Sequence, residues 1–151
     1  MHTVNRAEAL AELVAAFADP SLLRVIHRGS RVEPALIPAT FAMEHGTTVA
    51  LALGGLFGDG LAVVEQGGEP IALHAVCGST FFDPYGLHTR DALLASWADF
   101  YQEPVGTFLL RSSNERDSEH FEIDLVSGER AADLRDALLD RCGSAIAVLR
   151  G

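Results

Sequence analysis

The stretch "LHAVCGSTFFDPYG", Leu73 to Gly86, carries the residues best suited to chemistry. His74 and Asp83 stand nine positions apart across Gly78–Ser79. A two-residue turn there, with glycine first as a type II′ turn requires, sets Cys77 opposite Thr80 and Val76 opposite Phe81. His74 then faces Asp83 as a non-hydrogen-bonded pair, with Cα atoms about 4.5 Å apart and side chains on one face of the sheet. An aspartate so placed can fix an imidazole's tautomer, orient it and stabilise its charged form. The same pair is also an ordinary satisfied polar contact on a sheet. Cys77, three residues on from His74, projects to the opposite face, which makes it a poor nucleophile for the pair.

The other reactive types are scattered. His88 falls at the start of a helix and reads as a surface residue. Glu44–His45 lies in a loop with no third metal ligand at a recognisable spacing. Cys77 and Cys142 match neither a zinc motif nor a disulfide framework, so two free thiols are expected. Cys142 lies at a helix C-terminus, where the dipole disfavours a thiolate. No metal and no cofactor is expected.

Several elements must position these groups. Arg6 to Phe17 has helical spacing of apolar residues, with Asn5 and Glu8 as a capping box. Leu22 to Ile26 fits a short second turn. Two prolines and two glycines make residues 27–46 a loop or a set of extended pieces. Thr47 to Gln66 fits a buried helix or a hairpin, "TVALAL" and "LAVVEQ" around "FGDG". Four helical glycines at about 1 kcal/mol each, and the "DG" turn, favour the hairpin locally. "EPIALHAV" and "TFFDPY" read as strands, and Thr89 caps an amphipathic helix to Tyr101. "VGTFLLRSS" and "HFEIDLVSG" read as strands. "ERAADLRDALLDRC" reads as a helix stopped by Gly143, and "SAIAVLR" as a closing strand. The expected class is α+β, a mostly antiparallel sheet with packed helices. One domain, 1–151, is expected: helices and loop over 1–46, a core segment over 47–101 and an acidic strand–helix–strand tail over 102–151.

Composition bounds the partners. A chain of 151 residues that is 48% hydrophobic can bury a core. Its net charge is −10, and all eleven basic residues are arginine. That surface repels phosphate backbones, so nucleic-acid binding is not expected. Residues 103–140 hold ten acids against four arginines, a solvated face or a docking surface for a basic protein partner. The start, "MHTVNRAEALAELVAAF", lacks the basic region and apolar centre of a signal peptide, and no apolar run reaches membrane-spanning length. A cytoplasmic protein without a membrane partner is expected.

In the order of its motifs the chain resembles small bacterial papain-like hydrolases of the cysteine-peptidase and transglutaminase type. In that layout a nucleophilic cysteine opens a buried helix, loosely G-C-x-x-x-A-x-x-L. Strands carrying H-x-V and F-x-D-x-x-G follow, then a helix that ends near a tryptophan. Here "HAV" supplies His74, "FFDPYG" supplies Asp83 and Gly86, and "TRDALLASW" supplies the helix and Trp97. The resemblance spans about Thr47 to Trp97. It implies a papain-like, transglutaminase-like core with His74 and Asp83 as catalytic positions. Laid onto "LALGGLFGDGL", the helix pattern puts Gly58 at the small position, Leu61 at the leucine and Gly54 at the cysteine. Glycine has no nucleophile, and thiol-based acyl transfer requires one. Three accounts stand: a nucleophile-lacking domain kept for protein binding, a cysteine hydrolase or deamidase replaced at position 54, or a plain hairpin over 47–66.

Overall fold

The structure, a computed structural model, describes residues 4–29 and 31–151. The reading of the N-terminal stretch rests partly on residues 1–3, and that of the 27–46 loop partly on Ser30; these lie outside the described residues.

Helix α1 spans Arg6–Ala16. Asn5 caps it by accepting the Glu8 N–H at 2.8 Å, and its side-chain amide returns a bond to Glu8. Asp19 caps the short α2, Pro20–Leu23. The expected loop then departs from expectation. Pro34–Leu36 is a 3₁₀ turn and Ile37–Glu44 is helix α3. Each starts with a proline in its first turn, where the missing N–H has no intrahelical partner to lose. Prolines that read as breakers are starters here.

Residues 47–66 form a helix followed by a strand, not a hairpin. Helix α4 is Gly46–Phe57 and β1 is Leu61–Gln66. Of the four glycines, only Gly54 and Gly55 lie inside the helix. Gly58, at φ 78°, is its left-handed stop, and Gly60, at φ 85°, lies in the turn that follows. Two interior glycines cost about 2 kcal/mol. Burial of Val49, Leu53, Leu56 and Phe57 outweighs that, at about 1.5–3 kcal/mol per side chain.

Strands β2 (Glu69–Cys77), β3 (Thr80–Asp83) and β4 (Gly86–His88) follow, then α5 (Arg90–Tyr101), capped by Thr89. After β5 (Phe108–Ser112) come α6 (Glu115–His120) and α7 (Leu125–Arg150). The sheet order is β4-β3-β2-β1-β5 with every neighbour antiparallel, so the α+β class with an antiparallel sheet holds. The expected tail does not. "HFEIDLVSG" is a turn and a helix start, in which Asp124 and Ser127 form a reciprocal cap. Gly143 does not stop α7; the helix kinks at Cys142 (φ −139°, ψ 34°) and continues through the supposed closing strand. Its second arm buries Ala145, Ile146 and Leu149.

The sheet is covered on both faces. Ala75, Cys77 and Phe82 point into a core shared with α1, α4 and α7. Ala72, Val76 and Phe81 point the other way, towards Leu93, Leu94 and Trp97 of α5. On the edge strand, Arg111 bonds Glu65 of β1 and donates to both oxygens of the buried Asp117, which pins α6 beside the sheet. Among the described residues, no helix is long and apolar enough to cross a membrane.

Candidate functional site

The β2–β3 turn has the expected geometry. Cys77 pairs with Thr80, Val76 with Phe81 and Ala75 with Phe82. Gly78 takes φ 62° and Ser79 does not follow it to positive φ, the type II′ pattern. The next positions outward are His74 and Asp83.

Their side chains do not pair. His74, only 6% exposed, donates from Nδ1 to the Phe82 carbonyl at 2.9 Å. Its Nε2 accepts the Trp97 indole N–H at 3.0 Å. An indole nitrogen only donates, so these two bonds fix the neutral, Nδ1-protonated tautomer. Burial lowers the His74 pKa; the Phe82 carbonyl and the nearby Asp83 charge offset part of that. Asp83 instead accepts the Tyr85 N–H at 2.8 Å and a bond from His88 Nε2 at 2.9 Å. That bond raises the His88 pKa against the opposing effect of its burial. His88 is thus the aspartate's partner and not a bystander. Trp97 takes the orienting role that Asp83 was expected to fill.

His74 lines a cleft of about 470 Å³. The cleft exists because β3 is short. Pairing with β3 reaches only Ala75, while pairing with β1 continues to Glu69. Beyond Asp83, among the described residues, one edge of β2 therefore has no strand beside it. Alternation along the ladder turns the Leu73 N–H and C=O to that edge, since Ala75 already faces β3. The cleft wraps around this gap, from Val49 and Ala50 on one face to His74 and Trp97 on the other. Its rim carries Tyr85 and Phe100, which are 59% and 54% exposed.

The helix end at this cleft is the start of α4. Gly46 and Thr47 line it; Gly54 does not. Gly54 lies seven positions after Thr47, about 10 Å along the helix at 1.5 Å per residue. A Cβ at Gly54 would stand 2.6 Å from Leu61 Cδ2, pointing into packing. The structure thus brings His74 and Asp83 to one cleft and leaves Gly54 out of it. Gly54→Cys is expected to lower stability by about 1 kcal/mol, overpacking being partly offset by the removal of a helical glycine. Its thiol should react with iodoacetamide no faster than an unactivated buried thiol. Fast, His74-dependent labelling in an intact fold would refute this placement.

Neither native thiol reaches the cleft. Cys77 is on the opposite face, as its spacing from His74 predicts, and donates to the Leu149 carbonyl at 3.3 Å. Cys142 is buried in α7, and burial pushes its pKa up to about 11. The sequence reading did not place Thr47 at the site, because the family pattern laid onto "LALGGLFGDGL" sets the helix start two turns later. It also missed His27, which the fold brings to Glu44 and His45 from eighteen residues before His45. No protein-family model, curated protein or solved structure matches the chain.

Proposed function

We propose that the chain is a papain-like domain without a nucleophile, which binds an extended protein segment in the cleft beside His74. The observation that carries this reading is a cleft with an aromatic rim and a strand edge left unpaired by β3 but no thiol. A papain-like layout accounts for the order of elements: a buried helix, then antiparallel strands bearing His74 and Asp83, then the helix bearing Trp97. Acyl transfer by a thiolate is not available to it. His74 also has both ring nitrogens engaged, so no lone pair is free to take a proton.

Binding suits the same features. An extended segment can add to the Leu73 edge through its main chain, while alternate side chains reach Trp97 on one face and Val49 on the other. Tyr85, Phe100 and Tyr101 offer aromatic area, the kind of surface that anchors partners. Glu44 and Asp83 lie on the lining, and the chain's charge is −10, so a segment with apolar and basic residues is favoured.

Trp97 is the chain's one tryptophan, and it reports on the cleft directly. Peptides of about ten residues selected from a random display library should shift its emission on binding. Tyr85→Ala and Phe100→Ala should each weaken that binding about tenfold or more, a central aromatic's typical 1.4 kcal/mol or greater. Turnover of amide or ester substrates that disappears on His74→Ala would overturn the proposal. So would selected peptides that bind both rim variants unchanged.

A further inference from the structure

We infer that His27, Glu44 and His45 form a binding site for a divalent transition-metal ion of the zinc class, at the rim of the cleft. His27 lies in the chain after α2, and Glu44 ends α3. His45 joins α3 to α4. The fold brings one donor atom of each within 4.8 Å of the others. His27 Nδ1 is 2.8 Å from His45 Nε2 and 3.6 Å from Glu44 Oε2.

These distances are close to those of a coordination shell. With bonds of about 2.0–2.1 Å, tetrahedral ligands stand roughly 3.3 Å apart. Each of the two measured separations needs to change by about half an ångström or less to reach that value. Two imidazole nitrogens aimed at each other share a single hydrogen in the metal-free protein; an ion would use both lone pairs. Two imidazoles and a carboxylate suit zinc, cobalt, nickel or copper better than the oxygen-seeking calcium or magnesium. They leave further coordination positions for water or ligand, and Glu44 is 61% exposed, so the site is open on one side.

The surroundings fit the histidines as ligands. A side chain at Gly29 would place its Cβ 2.8 Å from His27 Nε2, so glycine there leaves room for the ring. The charges around His45 oppose one another. Arg130 disfavours a cation there, while Glu44 favours one. The C-terminal end of α3 and the N-terminal end of α4 meet at this corner, so their dipoles offset. Glu44, Gly46 and Thr47 line the cleft, which puts the ion at its edge and not within the His74 network.

The test uses the 151-residue chain without a histidine tag, stripped with chelator. Cobalt(II) is titrated by its visible absorption, and zinc(II) by displacement of cobalt. One saturable ion per chain is expected, with the intense bands of a four- or five-coordinate site. His27→Gln and His45→Gln should each weaken binding at least about tenfold. His120→Gln should leave it unchanged, because that ring bonds the Pro70 carbonyl elsewhere. Glu44→Gln changes an exposed side chain, keeps the fold and should also weaken binding. The inference is overturned by the absence of saturable binding, or by binding that any folded His27, His45 or Glu44 variant leaves unaltered. Far-UV circular dichroism identifies the folded variants.

Discussion

Phe82→Ala lowers the unfolding free energy by about 3–5 kcal/mol, the range for a fully buried phenylalanine cut back to alanine. The ring is 2% exposed and lies 5.4 Å from Phe17 and 6.2 Å from Phe57, centroid to centroid. Phe17 packs in turn on Phe41 at 4.9 Å. One side chain of a four-residue strand therefore joins the sheet to α1, to α4 and, through Phe17, to α3. The same residue lines the cleft and offers its carbonyl to His74. Its truncation should therefore disturb peptide binding as well as stability. Phe82→Leu retains most of the volume and should cost less, about 1–2 kcal/mol. Urea denaturation followed by far-UV circular dichroism measures both. A loss below about 1.5 kcal/mol for the alanine variant, well under the usual core range, would mean that the aromatic cluster does not hold the layers together.

The second large effect is at His74. His74→Ala strands the Trp97 N–H and takes one of two donors from the Phe82 carbonyl, which keeps its ladder bond from Ala75; one buried group left unpaired costs about 1–3 kcal/mol. Because the indole faces the cleft and can gain water, the expected total is about 1–2 kcal/mol. The histidine also sets a pH dependence whose sign follows from its lowered pKa. Between the folded pKa and the unfolded value near 6.5, the unfolded chain binds more protons, so stability falls as pH drops below about 6.5. The slope approaches about 1.4 kcal/mol per pH unit for one such group. His88 works in a separate window. Its folded pKa is raised, so its contribution is complete below about 6.5 and fades as pH rises through the folded value. Half-buried His45 titrates in the same direction as His74, so variants are needed to separate them. Urea midpoints at pH 5.0, 6.0 and 7.5 should show the acid slope reduced in His74→Phe. His88→Gln should lose the extra stability below neutrality. An unchanged acid slope in a folded His74→Phe protein would exclude the buried histidine as its source.

The readable parts of the fold were those set by local chemistry. The Asn5 and Thr89 caps, the helical spacing around Leu13 and Leu93, and the Gly78 turn all act within a few residues, and each is where the sequence puts it. The misread parts depend on distant packing. "SAIAVLR" alternates well enough for a strand, yet Ala145, Ile146 and Leu149 also share one helical face, and packing against α1 and α4 decides between the two. Phe121 and Ile123 alternate in earnest, but they pack from a turn onto Ala50, Val63 and Leu73. In the 47–66 region, glycines were counted against a helix although two of them lie beyond its last turn. The site was legible to the same degree. Strand alternation gave the face of His74 and excluded Cys77. It could not show that Trp97, twenty-three residues on, would outcompete Asp83 for the imidazole, nor that His27 would meet His45.

The contact between Arg6 and the Leu149 carbonyl, at 2.7 Å, joins residues 143 positions apart. Cys77 donates to the same carbonyl, so one oxygen knots the first helix, the central strand and the second arm of the kinked helix. Contacts between residues so far apart in the chain form more slowly than local ones, because the loop must close before they reward it. During synthesis, Leu13 and Phe17 have no complete surface to rest against until more than a hundred further residues have been added. The aromatic heart of the protein is thus assembled late, and the emerging chain carries an apolar stripe that a ribosome-bound chaperone would meet before α7 does.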